Sequence, residues 1–463
     1  MKTAVEELSP TRVKLTVEVP FQELESSLQA AYKKVAKQVR VPGFRPGKVP
    51  ARIIEQRFGR AVVLEETLND AIPKLYSKAV DEQDLFPVSQ PQIEVTKIED
   101  GEQVEFTAEV DVRPAFEVPD FEGTEVVVSS AKVTDEDVDA QLDALRQRFA
   151  TLTGVDRPAK DGDYVVMDMR AEINGENLDE QQASDVSYEV GAGSILQGLD
   201  DALRGMSAGE EKTFRTTLVG GEHAGQEADV IVKVKSVKEK VLPELDDEFA
   251  QLSSEFDTLD ELKESIRAQV RRNKLIEQVR QAREKALDAL LEKIDIPLPE
   301  SALKVEIEAR KQYLDQQIAQ SGLSREAFFR LYQTTEEERL AEIEKTAARA
   351  LKAGFVLDKI VKSEELGVSE QELTDFVVRQ AMQMGVAPNT LAKQLADTNQ
   401  LTLAMMEIAR EKAKTLLGDA AKVKDEDGND VDLKAIYAEL NPQQEQAEGE
   451  QDKEDKDDKG SES

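Results

Sequence analysis

Val41-Pro42-Gly43-Phe44-Arg45-Pro46-Gly47-Lys48-Val49-Pro50 lies near the start of a 463-residue chain and cannot be helix or central strand. Between Gly43 and Pro50, two prolines lack backbone donors and hold φ fixed, while two glycines open φ/ψ space. An exposed loop is forced. It carries an aromatic side chain, Phe44, and two cations, Arg45 and Lys48. Arginine presents a planar fork suited to phosphate or carboxylate, and lysine adds a mobile point charge. Gly43 and Gly47 allow a partner to approach the backbone closely. On charge alone the loop reads as a solvated turn; its surroundings change that.

On one side, Pro20-Phe21 opens a helical stretch with Leu24, Leu28, Tyr32 and Val35/Ala36 three to four residues apart. On the other, helical periodicity runs from Pro50 to Tyr76, so the loop tips a helical hairpin. Residues 1–60 hold 12 Lys+Arg against 6 Asp+Glu, in a chain of net charge −35. Residues 33–60 alone carry Lys33, Lys34, Lys37, Arg40, Arg45, Lys48, Arg52, Arg57 and Arg60 against Glu55. A basic end on an acidic protein is a candidate for docking on a polyanion, while the overall charge argues against general nucleic-acid binding by the whole chain, and no DNA partner is expected. Strand alternation at 11–19, 92–98 and 103–112 completes an α+β unit of about 110 residues.

Composition bounds the chemistry. Cysteine is absent and His223 is the one histidine. No disulfide, Cys/His metal site or ordinary Ser-His catalysis is expected, and no cofactor is called for. His223, in Gly220-Gly221-Glu222-His223-Ala224-Gly225, reads as an exposed loop residue. Hydrophobic residues make up 40%, aromatics 5% and charged residues 33%, a balance suited to long amphipathic helices. The N-terminus has no apolar h-region, and no run of about 18 apolar residues occurs, so a cytosolic protein without a membrane partner is expected.

Beyond the first unit, 114–135 is punctuated by proline, and Thr134 with Asp137 caps a helix to about Ala150. Residues 154–243 are rich in glycine and strand-like runs, with a short helix signalled at Ile195 to Leu203. From Thr258 to about Leu417 the pattern is helical. Thr258 and Glu261 form a capping box, and Leu262, Ile266, Val270, Leu275, Val279, Ala282, Ala286, Leu290 and Ile294 make a stripe stopped by Pro297 and Pro299. Further helices are expected at 299–321, 324–333, 335–362, 369–385, 388–397 and 400–417. Residues 441–463 have nine Asp+Glu, three Lys and no large apolar side chain, the composition of a disordered tail.

At this point the sequence resembles the trigger factor family. Its ribosome-docking signature, G-F-R-x-G-K-x-P, is matched at Gly43, Phe44, Arg45, Gly47, Lys48 and Pro50, and the resemblance extends through Gln56-Arg57-Phe58-Gly59 to cover about residues 1–430. It implies docking of Gly43, Phe44, Arg45, Gly47 and Lys48 beside the exit tunnel of the large ribosomal subunit, on protein and ribosomal RNA. Residues 161–239 resemble an FKBP-type prolyl isomerase at Asp161-Gly162-Asp163, Asn174 to Asp179, Gly191 to Gly198 and Gly205 to Glu210. The implied pocket is Asp179, Tyr188, Ile195, Leu196 and Leu199. Leu178, Leu199 and Met169 stand where the family has aromatics, and the loop 218–229 is short and lacks one, so weak peptidyl-prolyl cis-trans isomerase activity is expected. In the helical half, Met382, Met384, Met405 and Met406, with Phe376 nearby, suit a surface that accepts many unfolded chains. The same residues read equally as bundle core.

The expected fold is multidomain α+β. A docking domain spans 1–113, and 114–153 forms a linker and a helix belonging to the C-terminal body. An inserted FKBP-like barrel or half-barrel with a short helix spans 154–243. An all-α chaperone body occupies 244–435, discontinuous because it includes the 134–150 helix, and a disordered acidic tail 436–463. The expected function is a ribosome-associated chaperone for nascent polypeptides. A dedicated isomerase and a scaffold that never meets the ribosome are the alternatives. An unoccupied apolar cradle could self-associate, which leaves a homodimer off the ribosome open.

Overall fold

In the computed structural model the described residues are 1–440, without 46, 194, 219–222, 224 and 399 and without the side chains of 179–181. The acidic segment 441–463 and the side chain of Asp179 therefore lie outside the described residues. The chain divides into two compact units. One comprises Met1–Pro119, Leu291–Arg310 and Ile343–Arg410; the other comprises Asp120–Leu290, Lys311–Glu342 and Glu411 onward.

The first unit is built on an antiparallel sheet in the order Lys2–Ser9, Arg12–Pro20, Gln103–Asp111, Gln92–Glu99. Alternation at Val13, Leu15, Val17 and Val19 buries one face of the second strand, and the register sets Leu15 opposite Ala108 and Val17 opposite Phe106. Leu24, Leu68, Ala71, Ile72 and Ala79 cover that face. The edge strand Lys2–Ser9 was not legible as a strand because its residues are nearly all exposed and need no alternation. The helix expected from Pro50 to Tyr76 is two, Ala51–Phe58 and Arg60–Glu82, broken at Gly59, where φ is +84°. Asp111 receives the backbone N–H of Ser301 at 3.1 Å, holding the first turn of the helix Glu300–Ser321 against the sheet. Asp358 pairs with Arg113 at 2.7 Å and with Arg410 at 2.6 and 2.9 Å.

In the second unit Thr151–Gly154, Glu227–Val241, Tyr164–Ile173 and Glu176–Glu189 pair in that order, and Glu211–Thr217 adds to Glu227–Val241. This antiparallel half-barrel wraps the helix Leu199–Leu203, shorter than the span signalled from Ile195. Helix Asp135–Arg148 has the expected capping box and buries Val138 and Leu142 against Phe249, Ala250, Leu262, Ile266 and Val270. Burial of each such side chain contributes about 1.5–3 kcal/mol. Residues on both sides of the inserted half-barrel thus share one core.

The later helices, Glu300–Ser321, Arg325–Leu331, Glu336–Ser363, Glu370–Met384, Pro388–Asp397 and Leu401–Ala420, fall close to the expected spans. Beyond these helices, two further elements near the C-terminus were not foreseen. Lys422–Asp425 pairs in parallel with Glu125–Val128, a partnership across some three hundred residues that no local pattern signals. Helix Leu433–Leu440 buries Leu433 and Ile436, so ordered chain passes the expected tail boundary at 436. Asp432 receives the N–H groups of Lys434 and Ala435 and starts that helix.

Candidate functional site

The hairpin loop is held from within. Val41 and Val49, at its two ends, are buried with Ala31, Val35, Ala36, Ile54 and Val63. Gly47 N–H donates to the Ala36 carbonyl at 2.7 Å, tying the loop back to helix Glu25–Gln38. Gly43 and Gly47 have φ of +90° and +80°, backbone that L side chains rarely adopt, which gives these two glycines a structural reason. Between the anchors the tip is thrust outward: Phe44 is 41% exposed, and Arg45 and Lys48 are exposed.

Two of the nine basic residues of 33–60 are engaged internally. Lys34 pairs with Glu66, and Arg60 pairs with Glu55 and Asp100. The same cluster pushes the Tyr32 hydroxyl up to about 12, through burial first and its hydrogen bond to Glu55 second. Lys33, Lys37, Arg40, Arg45, Lys48, Arg52 and Arg57 are exposed, and no ion pair among the described residues involves them. Phe58, at the end of the short helix Ala51–Phe58, is a second exposed aromatic at 38%. Its signal was an aromatic directly before a glycine in the basic segment.

In the half-barrel, Leu199 is wholly buried and Tyr188 is 4% exposed; both belong to the core with Val165, Met167 and Val232. Ile195 and Leu196 are half-buried and pack on that core from the Gly191–Gly198 loop. Of the five pocket residues these two offer surface, two lie beneath, and the Asp179 side chain is outside the described residues. Asp200 organises the loop. One of its oxygens receives the Tyr188 hydroxyl at 2.9 Å and the Gly191 N–H at 2.6 Å; the other receives the Gly193 N–H at 3.1 Å. Phe214, half-buried on strand Glu211–Thr217, stands beside Gly198, where an added Cβ would come within 3.4 Å of its ring. Sequence reading placed Phe214 only in a strand and Asp200 only in the short helix, because neither side chain's contact across the loop follows from a local pattern. His223 is half-buried, not exposed, and its Nδ1 has no hydrogen-bond partner among the described residues.

Four of the eight methionines are exposed, while Met1 and Met169 are half-buried. Met382 and Met384 are 73% and 58% exposed in the last turn of helix Glu370–Met384; Met405 and Met406 are 41% and 38% exposed on helix Leu401–Ala420. Phe376 packs partly on the cluster of Val377, Ala381 and Leu391. A groove of about 540 Å³ between Leu314, Phe328, Phe329, Tyr332, Thr334 and Arg339 was not singled out in the sequence. Phe328 meets Phe329 edge-to-face at 5.8 Å between centroids and Tyr332 at a tilt at 4.7 Å. Among the described residues no helix is long and apolar enough to cross a membrane.

Residues 1–145 match the family model of the bacterial trigger factor protein, and residues 258–419 match the model of its C-terminus. Residues 155–235 match the FKBP-type peptidyl-prolyl cis-trans isomerase model. The trigger factor of Thermobifida fusca is 54% identical over 432 residues, 93% of either chain. That of Streptomyces coelicolor is 49% identical over 434 residues, 94% of this chain and 93% of its own. Among solved structures, a trigger factor chaperone studied for promiscuous substrate recognition in folding and assembly aligns with 90% of this chain and 99% of its own at 21% identity and a TM-score of 0.47. Relatives of this identity across nearly the full length, together with the three family models, mean that the chain belongs to the trigger factor family of ribosome-associated chaperones and carries an FKBP-type prolyl isomerase domain.

Proposed function

We propose that Gly43, Phe44, Arg45, Gly47 and Lys48 form the ribosome contact, with Phe44 inserted apolar-side first and Arg45 and Lys48 on ribosomal RNA phosphate or an acidic protein surface. The observation that carries this reading is the outward tip: an exposed aromatic flanked by cations with no internal ion pair, on a loop whose ends are pinned by buried valines. Cations already neutralised within the fold would add little; these are available. Each charge-assisted contact is worth about 1.5–3 kcal/mol. Arg45→Ala together with Lys48→Ala should therefore weaken ribosome co-sedimentation on the order of a hundredfold, and rising salt should weaken the wild type. Equal pelleting of both forms would remove the assignment.

In the isomerase domain, Ile195 and Leu196 offer the apolar surface on which a prolyl bond twists, over a floor of Tyr188 and Leu199; Asp179 is the fifth residue that the family resemblance assigns to this pocket. Amide resonance opposes rotation by about 18–20 kcal/mol, and an apolar, water-poor site favours the twisted amide without covalent chemistry. Leucines where aromatics are usual keep turnover weak. Phe376, Met382, Met384, Met405 and Met406 hold unfolded segments, supported by the exposure of the four thioethers; the aromatic groove at Phe328 and Phe329 is a further candidate of the same kind. We assign the domains as 1–113, 114–153, 154–243 and a helical body from 244, place the protein in the cytoplasm, and leave a homodimer off the ribosome to a light-scattering titration.

A further inference from the structure

We propose that Met382, Met384, Met405 and Met406 are a reversible oxidation site through which a hydroperoxide turns down the grip on unfolded chains while leaving the isomerase running. The proposal rests on the reading of those methionines as client contacts. Three observations carry it. The chain contains no cysteine, so thioethers are its only sulfur. Of eight methionines, these four are each more than a third exposed. By contrast, Met167 and Met206, in the half-barrel core, are 0% and 4% exposed, and Met1 and Met169 are half-buried.

The chemistry needs only access. The thioether sulfur attacks one peroxide oxygen, the O–O bond breaks, and an S–O bond forms. Sulfur loses two electrons; the departing oxygen takes up the proton released from the transferred one and leaves as an alcohol, or as water when the oxidant is hydrogen peroxide. A methionine sulfoxide reductase drawing electrons from a dithiol reverses the step. The product is polar and chiral where an apolar, flexible contact stood, so an unfolded apolar segment loses its partner. The fold should tolerate the change. Around Met382 the core contacts of its helix are made by Val377 and Ala381, and Gly385 already turns the chain at φ +66°.

The test uses the full chain, mild hydrogen peroxide and reduced, unfolded lysozyme as client. Peptide mass mapping should find added oxygen at the four exposed methionines and none at Met167 or Met206. Holding of lysozyme should weaken on the order of tenfold, a loss of about 1.4 kcal/mol, with prolyl-peptide turnover unchanged and holding restored by the reductase. A chain with all four changed Met→Leu, whatever its starting grip on lysozyme, should lose none of that grip to peroxide, and one with all four changed Met→Gln should hold it poorly from the outset. Undiminished holding by a fully oxidised wild type, or equal peroxide loss in the leucine variant, overturns the proposal. If the glutamine variant holds lysozyme normally, the client-contact reading itself fails. If that variant is weak but peroxide leaves the four sulfurs unmodified, only the oxidation step fails.

Discussion

Asp200 is the residue on which the isomerase loop should stand or fall. Asp200→Ala removes one acceptor from three donors: the Tyr188 hydroxyl at 2.9 Å and the N–H groups of Gly191 and Gly193 at 2.6 and 3.1 Å. The three losses differ in kind. Tyr188 is buried, and a hydrogen bond from a buried hydroxyl to a carboxylate is worth about 1.5–3 kcal/mol. Gly191 and Gly193 are exposed, so water replaces the carboxylate there, and what is lost is order in the loop. That loop carries Ile195 and Leu196, and displacement of such groups by about 1 Å can cost on the order of a hundredfold in rate. We expect Asp200→Ala to lower kcat/KM on prolyl peptides at least about tenfold. Asp200→Asn should fall between, because one oxygen can still serve Tyr188 and Gly191 while an NH2 faces the Gly193 donor. Tyr188→Phe should cost least, since both loop amides keep their acceptor. The assay is peptide turnover resolved into kcat and KM, with hydrogen exchange at Gly191 and Gly193 as the readout of loop order. Wild-type turnover with unchanged exchange in Asp200→Ala would refute the reasoning, as would a Tyr188→Phe loss equal to that of Asp200→Ala.

Asp358 is 10% exposed between Arg113 and Arg410, so Asp358→Ala leaves two guanidinium groups confronting each other. We expect a loss of about 3 kcal/mol, read as an earlier first transition in urea. Asp137, held by Lys274 first and by the Thr134 N–H second, has its carboxyl lowered to about 2. Because this folded value lies below the ordinary one, its stabilisation is full above about pH 4 and disappears as pH falls towards 2. Asp137→Asn should therefore be less stable than wild type at neutral pH and indistinguishable from it below about pH 2, by helix content against acid. Gly198 has φ +87° beside Phe214, so Gly198→Ala should cost about 1–2 kcal/mol and reduce turnover; unaltered turnover would show that the loop does not depend on this turn.

Much of the architecture was legible because its signals are local. Alternation at Val13, Leu15, Val17 and Val19 implied a half-buried strand, and the helix caps at Thr134 and Thr258 marked real starts. The failures have separate reasons. The edge strand Lys2–Ser9 faces solvent and needs no alternation, the parallel partner of Lys422–Asp425 lies some three hundred residues away, and the carboxylate of Asp200 meets its donors only because the Gly191–Gly198 loop folds back on the helix.

By itself, the chain's order of residues determined that 41–50 must be loop, since proline and glycine restrict or free the backbone whatever surrounds them. It also determined that the chain's sulfur is all thioether and that one end is basic. Tertiary structure alone decided which cations stay free and which are neutralised by Glu55, Glu66 and Asp100. It also decided which methionines meet water and which of the pocket residues lie beneath it. Exposure and charge pairing depend on which segments fold against one another, and packing sets them, not propensity.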